Sequence, residues 1–205
     1  MAILQSVLDP DSPDPRCLNL LAALRLKSED FEEAARCYQL GARHYPDNLE
    51  WLRELARVHL LADNGAELAI VLKNLAEADP DDFLVRRKLA DLALSAKDYE
   101  AAGDWANQAL EIDVSIAGVH CAFAESLVKS HNYRQAIEEF EAAVELAPHE
   151  LQPRFALADA CLQDGDARKA RQVLVDLLRI APDFPGAEPM LESVLEDLEK
   201  LEREP

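Results

Sequence analysis

Apolar residues recur along this chain at i, i+3, i+4 and i+7, a spacing that lines one face of an α-helix and does not fit the period of two of a strand. The pattern is interrupted at regular intervals. Prolines stand at 46, 80, 148 and 182, and the position that would complete the series holds Val114. A 34-residue frame follows, with repeat units 15–48, 49–82, 83–116, 117–150 and 151–184. Each unit is predicted to be a helix, a short turn and a second helix, the proline ending the second helix.

The columns of this frame have physical reasons. The eighth residue is Ala22, Ala56, Ala90, Ala124 and Ala158, preceded by Leu21, Leu55, Leu89, Phe123 and Leu157. The twentieth is Ala34, Leu68, Ala102, Ala136 and Ala170. Alanine lets two helix axes approach closely, and the large neighbour fills the space between units. The sixteenth is Asp30, Asn64, Asp98, Asn132 and Asp166, which predicts an N-cap for each second helix. Three residues on stand Glu33, Glu67 and Gln135, which predicts capping boxes in three units.

This set resembles the tetratricopeptide repeat family, with its 34-residue unit and its pattern of W, L, G, Y, A, F and P. Unit 4 matches through Phe123, Ala124, Leu127, Tyr133, Ala136, Phe140, Ala143 and Pro148. Unit 1 matches through Leu18, Leu21, Ala22, Phe31, Ala34, Tyr38 and Pro46. The resemblance covers residues 15–184 and implies an all-α fold, a right-handed α-solenoid of antiparallel helix pairs. It implies a protein-protein interaction scaffold that binds a peptide or partner protein in a concave groove. The departures are Arg86, His120 and Arg154 at the fourth position, Gly65 and Leu68 in unit 2, and Val114 for proline in unit 3. A shifted helix is expected around Leu68.

Outside the repeats, 187–203 places Met190, Val194, Leu195, Leu198 and Leu201 on one face. Residues 185–205 are therefore expected to form an acidic capping helix, with a coiled-coil seam as the alternative. Residues 1–14 read as the remnant of an upstream helix plus a linker. That suggests an alternative function, a non-catalytic recruitment or dimerisation region excised from a larger enzyme or secretion protein.

Charge narrows the partner. Forty acids against 21 bases give a formal −19, which disfavours nucleic acid. No Gly-rich phosphate loop occurs and no cofactor is expected. No apolar run is long enough to span a membrane, and the default location is cytoplasmic unless the chain is a fragment of a longer protein. Cys17, Cys37, Cys121 and Cys161 fit neither a zinc site nor a disulfide framework and read as small packed thiols. No histidine pair has metal spacing. Catalysis is not expected, because the sequence neighbours His120 and Cys121 point about 100° apart on a helix.

The resemblance places positions 2, 5, 9, 12 and 13 of each unit on the groove. These are Arg16, Asn19, Leu26 and Lys27; Arg53, Arg57 and Leu60; Arg87, Asp91 and Leu94; Cys121, Glu125, Val128 and Lys129; and Phe155, Asp159 and Leu162. The peptide-binding candidates are Asn19, Lys27, Arg53, Arg57, Leu60, Arg87, Leu94, Glu125 and Phe155. Their polarity suggests an acidic partner toward the N-terminal half, since arginine forks suit carboxylates. The plainer alternative pairs Arg53 and Arg57 with Glu50, Glu54 or Asp91 at short range. The family's carboxylate clamp is not matched: Ala23 and Glu54 stand at clamp positions, and only Lys88 keeps a basic one. Self-association stays open.

Overall fold

The computed structural model describes residues 13–203, so the expected upstream remnant lies largely outside the described residues. Every regular element among them is an α-helix. The first helices of the five pairs are α1 (Pro15–Lys27), α3 (Glu50–Leu61), α5 (Phe83–Ser95), α7 (Ala117–Lys129) and α9 (Gln152–Gln163). The second helices are α2 (Phe31–His44), α4 (Gly65–Ala78), α6 (Tyr99–Ile112), α8 (Tyr133–Leu146) and α10 (Ala167–Ile180). The chain ends in α11 (Ala187–Arg203). Two compact bodies divide at Leu89 and Ala90, within α5.

The second helices begin at 31, 65, 99, 133 and 167, one frame apart. The turn before each has a single construction. The backbone N–H of the sixteenth residue donates to a carbonyl five residues earlier: Asp30 to Arg25, Asn64 to His59, Asp98 to Ala93, Asn132 to Leu127 and Asp166 to Cys161, all at 2.8–2.9 Å. The fifteenth residue donates to a carbonyl three back, completing a Schellman motif. The sixteenth residue thus closes one helix while it opens the next.

This geometry corrects the capping boxes expected at Glu33, Glu67 and Gln135. The N–H that each side chain would have met is already bonded to the preceding helix. The N-caps themselves divide by chemistry. Asp30, Asp98 and Asp166 accept from the N–H three residues on, whereas Asn64 and Asn132 make no side-chain cap bond. Asn132 donates instead to the Gln135 side chain at 3.0 Å.

The Schellman turn demands a left-handed residue at position fifteen. Glu29, Asp63, Lys97 and His131 adopt φ of +55° to +61°, and Gly165 lies at +87°. Only glycine occupies this region without a Cβ clash. Glu29→Gly with Lys97→Gly is therefore expected to stabilise the protein, by about 0.5–1 kcal/mol per site after glycine's entropy cost. Chemical denaturation measures this, and a lowered midpoint would contradict it.

In the first body, Ala22 and Ala34 are fully buried beside Leu18, Leu21 and Tyr38. Leu68 is buried where the other units hold alanine, and α3 and α4 meet over less of their surfaces than α1 and α2 do. A leucine permits less close approach of two helices than an alanine does. In the second body, Ala124, Ala136, Phe140, Leu157, Ala160 and Ala170 join one core. Leu174 and Leu177 are fully buried against Ala187 and Val194 of α11, with Met190, Leu191 and Leu198 packed around them. Each buried leucine contributes roughly 1.5–3 kcal/mol. The helix face is thus 187, 190, 191, 194 and 198. Leu195, expected inward, is exposed, and Leu191 takes its place.

The polar residues at the fourth position, where the family has a large apolar ring, hold the loops between units. Arg86 is buried and donates to the carbonyls of Ala76, Asp79 and Asp82 at 3.2–3.4 Å. Arg154 donates to the Pro148 carbonyl at 3.3 Å. His120 places Nε2 2.8 Å from the carbonyl of Val114, the residue that replaces the loop proline, and Nδ1 2.7 Å from Glu139.

Candidate functional site

Two clefts open on the first helices, one in each body, and they repeat the same plan. In the first body a cleft of about 590 Å³ has Asn19, Leu26 and Lys27 of α1 on one side and Glu54, Arg57 and Leu61 of α3 on the other. Tyr38 and Trp51 also line it. In the second body a cleft of about 360 Å³ takes Leu94 from α5, Glu125, Val128 and Lys129 from α7, and Ala156 and Asp159 from α9, with Phe140 of α8 also lining it.

The expected groove residues separate into three groups. Asn19, Lys27 and Arg57 meet in the first cleft; Leu94 and Glu125 meet in the second. Arg53 is tied down, with its guanidinium 3.2 Å from Asp79 and 3.7 Å from Asp82 in the loop before α5. Leu60 is exposed, Arg87 half-buried, and neither lines a cleft described here. Phe155 packs on Phe184 with ring centroids 5.4 Å apart, against the loop that leads into α11. Gly186 takes φ of +82° under that ring, where a Cβ would stand 3.3 Å from it.

Two columns outside the groove positions line both clefts, the sixth through Glu54 and Ala156 and the twenty-fourth through Tyr38 and Phe140. The twenty-fourth residue, Tyr38 in unit 1 and Phe140 in unit 4, is only 2% exposed in each case. It belongs to the second helix and escapes any reading of the first-helix stripe. Trp51 is also buried. It packs beside Tyr38 and Tyr45 with centroids 6.2 and 6.1 Å away.

Electrostatics differ between the clefts. In the first, Arg57 pairs with Glu54 at 3.3 Å. Burial, then the charge and hydrogen bond of Glu54, push the Tyr38 phenol above its ordinary pKa, with Arg57 opposing. The arginine stripe is thus largely neutralised from within. In the second, burial pushes the Glu125 carboxyl above its usual range, the charge of Asp91 adds to this, and Lys129 opposes it.

Neither cleft carries a nucleophile with a base. Both ring nitrogens of His120 are committed to Val114 and Glu139, not to its neighbour Cys121. Cys37 and Cys161 are buried, and burial raises both thiols, Cys161 to about 11, which keeps them protonated and unreactive. Among the described residues no group of three or more His, Cys, Asp or Glu could hold a metal ion.

Family models described as tetratricopeptide repeat match residues 19–72, 68–113 and 127–188. The chain belongs to the tetratricopeptide repeat family. Its helix pairs follow that repeat through the matched stretches, with departures at Gly65, Leu68, Arg86 and Arg154. A crystal structure of the MamA protein aligns at TM-score 0.73 and 17% identity, covering 80% of this chain and 90% of that one. MamA 41-end from Desulfovibrio magneticus RS-1 aligns at 0.71 and 16%, covering 84% and 97%. YrrB, a TPR protein with an unusual peptide-binding site, aligns at 0.73 and 16%, covering 85% and 90%. At these identities the likeness is one of fold. No curated protein matches the chain in sequence. No helix among the described residues is long and apolar enough to cross a membrane.

Proposed function

We propose that this tetratricopeptide repeat chain is an interaction module that binds an extended segment of a partner protein across its first helices. The carrying observation is the second cleft. Three successive repeat units deliver the ninth, twelfth and thirteenth positions to it: Leu94, then Glu125, Val128 and Lys129, then Asp159. At about 360 Å³ its volume lies in the range of small-ligand pockets and accommodates side chains of an extended segment. An apolar floor with a few charged groups at the rim supplies both affinity and register. The shared fold with YrrB, itself a peptide binder, supports the reading. Because Arg53 and Arg57 are engaged by acids of the chain itself, the arginine stripe carries none of it.

Panning a random peptide library against the intact chain tests this. Val128→Asp is expected to weaken the selected peptides tenfold or more. Val175→Asp, at an exposed valine of α10, is expected to leave them bound. Equal loss from both substitutions, or from neither, would remove the cleft as the binding site.

A further inference from the structure

The two bodies differ in charge. Up to Leu89 the chain has 16 acids and 11 bases, a net of −5; from Ala90 onward it has 24 and 10, a net of −14. A surface so acidic attracts cationic partners and raises their rate of encounter.

The second cleft is lined by two acids and two lysines, Glu125 and Asp159 with Lys97 and Lys129, but its acids fall in one column. Asp91, Glu125 and Asp159 occupy the ninth position of three successive units, so one column of the groove is carboxylate throughout. Glu125 and Asp159 line the cleft directly. Glu125 feels like charge from Asp91, and Lys129, one turn along the same helix, offsets only part of it. Asp159 accepts a hydrogen bond from the neutral Gln163 side chain at 2.7 Å. A cation brought to this column relieves the repulsion between carboxylates. The floor beneath it, Leu94, Val128, Ala156 and Phe140, is apolar and suits the methylene stem of a long basic side chain or a large aliphatic neighbour.

Building on the peptide-cleft reading above, we infer that the segment bound by the second body is basic and apolar: an arginine whose stem lies over Leu94 and Val128, with its guanidinium toward the ninth-position carboxylates. Arginine fits better than lysine, because its planar fork can engage a carboxylate with two parallel bonds.

Fluorescence anisotropy with the intact chain decides this, using labelled, capped heptapeptides that alternate leucine with arginine, leucine with glutamate, or alanine with arginine. The leucine–arginine peptide is expected to bind. Glu125→Lys and Val128→Asp should each weaken it tenfold or more, and Glu125→Gln, which alters the fold least, about threefold. Glu138→Lys, at an exposed acid of α8 outside the cleft, should change it little. The alanine–arginine peptide should bind at least tenfold more weakly, and the leucine–glutamate peptide not measurably. If Glu138→Lys weakens binding as much as Glu125→Lys, the attraction belongs to the whole acidic body and the inference fails. If the leucine–glutamate peptide binds as well and Val128→Asp abolishes both, the cleft stands and its charge preference falls. If none of the peptides binds, while panned peptides lose affinity with Val128→Asp, the preference alone falls. If Val128→Asp affects no binder at all, the cleft reading falls with it.

Discussion

Replacing Gly41 with alanine is expected to destabilise the first body by about 3 kcal/mol, the reverse of what this change does in an ordinary helix. A glycine inside an exposed helix costs about 1 kcal/mol relative to alanine, so Gly→Ala normally stabilises. Gly41 lies in the last turns of α2, and its Cα faces the indole of Trp51 on α3. A Cβ there would stand 2.7 Å from Cζ3 of that ring and closer still to Cε3 and Cδ2. The ring cannot simply retreat, because it is only 6% exposed and lies beside both Tyr38 and Tyr45. Overpacking of this kind typically costs about 1–3 kcal/mol, and a clash with a rigid bicyclic ring belongs at the upper end. Denaturant unfolding of the single variant measures the loss. Trp51→Leu in the Gly41→Ala background should recover much of it, since the smaller side chain removes the clash and the indole N–H has no hydrogen-bond partner to forfeit. A Gly41→Ala protein more stable than the parent would show that the two helices are not in this contact.

That pairing also shows what can be read from sequence and what cannot. The repeat frame was legible because every unit solves the same packing problem with the same residue at the same position. Alanine at the eighth position marks a close helix approach wherever it occurs, and Asp or Asn at the sixteenth marks the start of a second helix. Gly41 shares its column with Leu75, Ala109, Ala143 and Leu177, and Trp51 with Val85 and Val119, so the columns mark burial but do not disclose that a missing Cβ in one unit faces an indole in the next. The left-handed position was hidden for a related reason. Of Glu29, Asp63, Lys97, His131 and Gly165 only the last is a glycine, so composition at that column does not disclose a shared backbone geometry. The capping boxes failed because a pattern of side chains does not tell whether the backbone N–H they need has already been taken.

The candidate site divides in the same way. The stripe on the first helices is what the family resemblance implies, with a spacing that helical period matches, and it delivered Asn19, Lys27, Arg57, Leu94 and Glu125 to the two clefts. Tyr38 and Phe140 come from the other helix of their pair, so no period along one helix predicts them. The fate of Arg53 depended on Asp79 and Asp82, in a loop whose path no helical rule describes. Phe155 has groove spacing, yet a loop beyond the repeats supplies Phe184 for it to pack against.

Phe140 joins stability to binding, and Ala124→Trp exploits that link. Ala124 is fully buried on α7 in the core that holds Phe140, Leu157 and Ala170. Its methyl sets how closely α7 can approach its neighbours, and native cores leave few voids larger than a water molecule. An indole in that place must push helices apart or force side chains off their rotamers, at a cost of about 3 kcal/mol or more. A thermal melt is expected to show a large drop in midpoint, or a second, earlier transition for the repeats around α7. Binding should fall with it for a separate reason. Phe140 shares that core and lines the second cleft, so displacing it alters the surface on which a partner's apolar side chains rest. Ala124→Ser separates the two effects, because it preserves volume and should keep the cleft while lowering stability only modestly. A tryptophan variant that melts like the parent would contradict the close packing at this column. One that loses stability but binds the same peptides with the same affinity would detach Phe140 from the site.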